Sequence, residues 1–412
     1  MAPKDIASRV TALRNDGDVA EIADTTMTSR ASVNDVANTR ARGNAVLPLT
    51  EITLKQWREL SERAVEPNGY YLPDWELAVN ASAPGRTDAS TLAAWDEARL
   101  IGLMPVVSLW RAYKVPLPAL ASAHPYGTLC TPPLDRDATE KAAVQLLQRA
   151  RQAGAHALVL RDMSLDGAVM KVFGSVLQRD GLRSLVLTSY QRASLDATRD
   201  AEALLQEALG SKKLKELRRQ RNRLTEHGAV DFTVARTPEE VAAATETFLK
   251  LEASGWKGAR GTALVQNEGD ARFIRRATVA LAATGQCEIV TLRAGDTPVA
   301  AGIVLRNQDR AFYFKIGIDE RFAKFSPGVQ LTLDITRHLC ADPAIASADS
   351  TAGPDHPMIN PIWRGRFAIG DVLIPLRSND PMVALIHAGL TSRQLLLEQA
   401  RRGIHFLRNR RR

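Results

Sequence analysis

Two stretches of this 412-residue chain carry groups whose types and spacing could do chemistry. In the first, Ser326-Pro-Gly-Val-Gln330 follows the apolar run Ala311–Ile318 and opens an apolar set at Val329, Leu331, Leu333, Ile335 and Leu339. Proline suits a helix's first turn and glycine admits close approach of backbone or ligand. The stretch therefore reads strand, loop, helix, with free backbone N–H groups converging where an anion such as a pyrophosphate would be favoured. A plain packing turn would read the same way. The second stretch follows the run Ile345–Asp349 and extends through Ser350-Thr-Ala-Gly-Pro-Asp-His-Pro-Met-Ile359, a loop rich in proline and polar groups. Loops beyond strand ends often carry catalytic groups. Asp349, Asp355 and His356 are its candidate general bases, and His356 titrates near neutrality with least tuning. Each also has a purely structural reading.

The elements that must position these groups follow an α/β order. Leu54, Trp57, Leu60 and Ala64 recur at helical spacing and the turn Glu66-Pro-Asn-Gly69 ends that helix. Ser90–Asp96 and Arg99–Val107 read as a hairpin. Thr139–Ala153 and Gly167–Gln178 read as helices, Ala155–Leu160 and Ser184–Thr188 as strands. After residue 230 the order is similar: a strand at Phe232–Ala235, helices over Pro238–Ser254 and Ala271–Thr284, then a meander of strands from Glu288 to Ile318.

Length suggests two domains, and 45% hydrophobic with 24% charged residues is a soluble globular composition. Three cysteines, Cys130, Cys287 and Cys340, lie far apart without metal-ligand spacing, which argues against a zinc site or a disulfide framework and for a reducing compartment. Residues 1–45 read as a flexible leader, and no apolar run reaches the ~18 residues of a membrane span. A cytoplasmic location is expected.

The net charge of +8 is local. Lys212–Leu224 holds seven Lys or Arg and one Glu, and Arg401–Arg412 holds six Arg and no acid, so the rest of the chain is net acidic. Such patches serve as solvated helix faces, as contacts for cofactor phosphates or nucleic acid, or as contacts for an anionic membrane surface. No aromatic RNA-binding signature accompanies them.

The Leu251-Glu-Ala-Ser-Gly-Trp-Lys-Gly-Ala-Arg-Gly261 stretch continues as Thr-Ala-Leu264, and Phe325-Ser-Pro-Gly-Val-Gln-Leu331 follows some way on. Together they resemble the GNAT acyltransferases of the CelD-like, cellulose-biosynthesis type, distant relatives of the Fem aminoacyltransferases. The resemblance covers Ser211–Leu376 well and Leu54–Leu187 loosely. It implies an α/β (α+β layered) fold of two tandem GNAT-like domains, each a mixed, mostly antiparallel sheet flanked by helices. The domains would be residues 46–205 and 206–390, with a basic tail at 391–412. It further implies an acyl-CoA such as acetyl-CoA as cosubstrate and no metal. Ser326, Pro327, Gly328, Val329 and Gln330 would hold the pyrophosphate, the strand Ala311–Ile318 would lie along the pantetheine arm, and Trp256 and Lys257 would face the substrate.

An N-acyltransferase holds a thioester, excludes water, deprotonates an amine and reprotonates the thiolate. Tyr313 is a candidate proton donor to sulfur, or a core tyrosine. Alternation along the strand puts Tyr313 and Lys315 opposite Phe312 and Phe314. The family's Tyr-Lys pair near the final loop is replaced here by His356-Pro-Met-Ile359. The acceptor implied is a small-molecule amine: a sugar, a lipid or an envelope precursor. The alternatives are Fem-like transfer from a charged tRNA, or a catalytically silent scaffold.

Overall fold

In a computed structural model, residues 44–409 are described, and the side chains of 400–409 are not. The leader call at 1–45 and the basic-tail call at 391–412 fall largely outside the described residues. Residues 45–412 form one compact unit.

Twelve strands among the described residues build one sheet: β1 (Leu47–Pro48), β2 (Ser90–Asp96), β3 (Arg99–Ser108), β4 (Ala119–Ser122), β5 (Ala157–Ser164), β6 (Leu185–Asp196), β7 (Val230–Ala235), β8 (Cys287–Ala294), β9 (Thr297–Asn307), β10 (Arg310–Ile318), β11 (Ser347–Asp349) and β12 (Gly365–Pro375). Their order is β1-β2-β3-β4-β5-β12-β6-β11-β10-β9-β8-β7. Pairing is antiparallel except at β4–β5 and β10–β11. The fold is thus α/β, a large, mostly antiparallel sheet flanked by helices.

The same run of strands occurs twice, but the halves are not separately closed. β12, from the end of the chain, lies between β5 and β6 of the first half and pairs with both. β6 in turn pairs with β11 of the second half. A boundary at residue 205/206 therefore cuts between strands that share one sheet. It coincides with a break in a helix: Ala201–Leu224 is one helical run interrupted at Gly210, whose φ of 70° a side chain would resist.

Helices bury apolar stripes on both faces. Ser211–Leu224 and Pro327–Cys340 cover one face of the second half through Leu214, Leu217, Leu331, Ile335 and Leu339. Pro73–Ser82, Pro238–Ser254 and Glu268–Ala282 cover the other, with Trp75, Phe248 and Phe273 against Phe312. Burial of this kind contributes about 25 cal/mol per Å² of apolar surface and orders the strands on which the site depends. No helix among the described residues is long and apolar enough to cross a membrane.

Candidate active site

β10 and β11 are paired only over Arg310–Phe312 and Ser347–Asp349. Beyond that point β10 runs on to Ile318 against β9, while the chain after Asp349 turns away at Thr351. Thr351 has φ 49°, an unfavourable left-handed conformation for a β-branched residue. Its Oγ1 donates to the Tyr313 carbonyl (2.6 Å) and its N–H to Asp349 Oδ1 (2.9 Å). A side-chain hydrogen bond is thus the last tie between the separating strands. Past it opens a cavity of about 160 Å³, bordered by Phe314, Lys315, Ile316, Ala352, His356 and Met358.

The first half repeats the geometry and closes it. β4 and β5 pair in parallel at Ala119–Ala121 and Ala157–Val159, then separate. There the Arg161 guanidinium donates to the Ser122 carbonyl (Nε, 2.8 Å), and the Tyr71 hydroxyl donates to the Ala123 carbonyl (2.7 Å). Buried Glu76 lies close enough for Arg161 to act on its charge, and burial still holds its carboxyl well above the usual range.

Helix Pro327–Cys340 begins beside the second opening. Ser326 takes φ 53°, and intrahelical bonding starts with the Gln330 N–H donating to the Ser326 carbonyl (3.0 Å). A Cβ on Gly328 would stand 3.1 Å from Met358 Sδ and 3.4 Å from Ile316, so the helix start, Met358 and the cavity wall are in contact. Pro327 is buried and Val329 half-buried. Gln330 is turned away from this end: its amide donates to the Leu217 carbonyl (2.8 Å) and fastens the basic helix. Arg221 bonds Asp334 in the same contact (2.7 Å), while Lys212, Lys213, Lys215, Arg218 and Arg219 are exposed.

The candidate acid and base residues separate in the structure. His356 borders the cavity, and its Nδ1 accepts the Met358 N–H (3.3 Å). Burial lowers its pKa from the ordinary value, which favours the neutral ring. With Nδ1 accepting, the ring proton belongs on Nε2. The imidazole is therefore set as a hydrogen-bond donor, not as the base its residue type suggests. Asp355 is exposed, with φ 53°, and does not border the cavity. Asp349 is 1% exposed and engaged by Arg192, so its carboxylate is spent on structure. Tyr313 is buried, and its ring leans over Gly302 of β9, away from the opening; burial raises its pKa. Trp256 and Lys257 lie in the helical turn Trp256–Ala259, and their side chains are outside the described residues.

A bulge between Tyr313 and Lys315 corrects the alternation expected along β10. The extra residue moves Lys315 to the face of Phe312, where it pairs with buried Glu252 (3.5 Å) and stands over the rings of Phe314 and Tyr126. This pair beside the cavity was not a sequence candidate, although Glu252 lies inside the Leu251–Gly261 stretch. A larger hollow of about 430 Å³ lies elsewhere, between β6 and helix Pro381–Asn409.

The chain was compared with known proteins. No curated protein matches it. Among solved structures, FemX superposes with a TM-score of 0.53 at 12% identity, covering 82% of this chain and 98% of that one. The C-terminal domain of a putative lysylphosphatidylglycerol synthetase from Agrobacterium fabrum gives 0.50 at 14%, covering 81% and 94%. At such identities the likeness is one of fold. Residues 211–356, which hold β10, β11, the Ser326 turn and His356, match the acetyltransferase (GNAT) domain.

Proposed function

We propose that the second half transfers an acyl group from acyl-CoA to an amine acceptor. The observation that carries this reading is the opening between β10 and the Thr351 turn, which has an apolar cavity at its base and a helix start at its side, while the first-half counterpart is filled. The pantetheine arm lies along Tyr313–Ile318, and the phosphates lie toward Ser326–Val329, where free N–H groups and the helix dipole favour negative charge. The match of residues 211–356 to an acetyltransferase domain supports the same placement.

In the reaction the acceptor nitrogen bonds to the acyl carbon, the C–S bond breaks with its electron pair on sulfur, and the proton lost by nitrogen is matched by one gained by the thiolate. The residues named act on charge. His356 Nε2–H donates to the carbonyl oxygen as negative charge builds on it, and fixed donors of this kind lower the barrier most. Lys315, held by Glu252, places a positive charge beside the departing thiolate. Trp256 and Lys257 lie on the acceptor side. The acceptor is a sugar, a lipid or an envelope precursor carrying a free amine, and the exposed basic helix face suits an anionic carrier or membrane surface. The fold shared with FemX keeps transfer from a charged tRNA as the second reading.

Thermal unfolding tests the assignment. Acetyl-CoA at about tenfold its Kd should stabilise the protein by about 1.4 kcal/mol, and Gly328→Trp, which fills the space against Met358 and Ile316, should lose that response. No shift with any CoA species would overturn it, and salt-sensitive binding of tRNA would favour the second reading.

A further inference from the structure

The cavity also bears on which group is transferred. Resting on the acyl-CoA reading, we infer that the donor carries a short, uncharged acyl chain of two to about four carbons. An apolar cavity of roughly 150 Å³ accommodates a six-carbon ring. The 160 Å³ here therefore holds about six non-hydrogen atoms, of which the thioester sulfur and carbonyl take two or three.

The walls fix both length and polarity. The Thr351-to-Tyr313 hydrogen bond draws the strands together on one side, where an extended chain would otherwise pass between them. Ile359, 2% exposed, closes another side from the core, and Ile316, Ala352 and Met358 supply aliphatic surface. The titratable side chains on the wall are Lys315 and His356, and neither is an anion. An aminoacyl group would bring its ammonium beside Lys315 with no wall carboxylate facing it, an arrangement that costs affinity. Geometry and charge thus both favour an unsubstituted short acyl chain.

Calorimetric titration of the full-length protein with free CoA, acetyl-CoA, butyryl-CoA and octanoyl-CoA reads this out. Acetyl- and butyryl-CoA should bind at least as tightly as free CoA, and octanoyl-CoA at least tenfold more weakly than butyryl-CoA. Ala352→Leu, which fills the cavity from a half-buried position, should remove the preference for acetyl- over free CoA. Ile316→Ala, which deepens it, should recover most of the octanoyl affinity; retained free-CoA binding reports that each variant is folded. Equal binding of octanoyl- and butyryl-CoA by the unaltered protein would overturn the inference, as would a series that neither variant changes. Both results would leave the acyl-CoA reading standing. Binding of no CoA species would instead remove that reading and this inference with it.

Discussion

Asp349, the last residue of β11, is clamped by the guanidinium of Arg192 on β6, 157 residues earlier in the chain. Both side chains are buried, at 1% and 0% exposure. Arg192 also donates to Thr128 Oγ1 (2.9 Å), whose own hydroxyl donates to the Thr351 carbonyl (3.1 Å). The strained turn that starts the cavity is therefore gripped by a strand and a loop of the first half. Two buried charges stay buried only while paired, because each alone has lost its water.

It follows that Arg192→Leu should destabilise the protein by roughly 3–5 kcal/mol, since it strands the Asp349 carboxylate in the interior. The double substitution Arg192→Leu with Asp349→Leu should cost clearly less than Arg192→Leu alone. Denaturant unfolding of the single and double variants checks both statements, and a double variant no better than the single would refute the clamp.

His356 separates two chemical roles. As a donor through Nε2, it should be largely replaced by glutamine, whose amide can donate but cannot act as a base. With an amine acceptor in hand, His356→Leu should lower kcat by about 10²–10³, and His356→Gln by much less. The lowered pKa also means that an acid limb from this ring belongs below its ordinary 6.5. If His356→Gln were as inactive as His356→Leu, with the parent rate falling as the ring protonates, the imidazole would be the base after all.

The cluster around the closed first-half opening makes stability depend on pH in two opposing ways. Asp162 is raised to about 6 by burial, with the Asp371 carboxylate adding to the effect. Its carboxyl binds a proton in the folded state before the unfolded chain does, so this group favours folding as pH falls from 6 toward 4. His124 is lowered to about 4 by burial and by Arg161 and Arg86. The unfolded chain takes up that proton first, so this group disfavours folding over nearly the same window. Each term is on the order of 2–3 kcal/mol, and together they nearly cancel. Asp162→Asn should therefore lose stability as pH drops from 6.5 to 4, and His124→Gln should gain it. Unfolding curves across that range test the pair, and two variants with parallel slopes would refute it.

Much of the local structure was legible in sequence because it depends on neighbours. The alternating residues of Ser90–Val107 gave the hairpin, and Pro327-Gly328 marked the helix that does begin at Pro327. β6 was read only to Thr188, since Ser189, Gln191 and Arg192 break its apolar run; it continues to Asp196. Those polar residues mark the part of the strand that meets β11 and Asp349, partners remote in sequence. The Tyr313/Lys315 bulge and the Lys315–Glu252 pair were invisible for a related reason: a bulge adds one residue without changing composition, yet moves every later side chain to the other face. The His356 tautomer depends on a backbone N–H two residues away, which its residue type does not reveal.

The exchange of β6 and β12 decides whether the matched domain can stand alone. A fragment of residues 206–390 retains β12 but loses β5 and β6, both of β12's partners, and with them the strand that pairs β11. An unpaired β12 would expose the backbone of a mostly buried strand, a template for aggregation. The fragment should be insoluble or unfolded and should not bind CoA. Supplying residues 44–205 as a separate chain in the same cell should restore a soluble complex, because the sheet can then close. Co-purification of the two pieces, followed by acetyl-CoA titration, measures this. A fragment that folds and binds by itself would mean that β12 can find a partner within the second half.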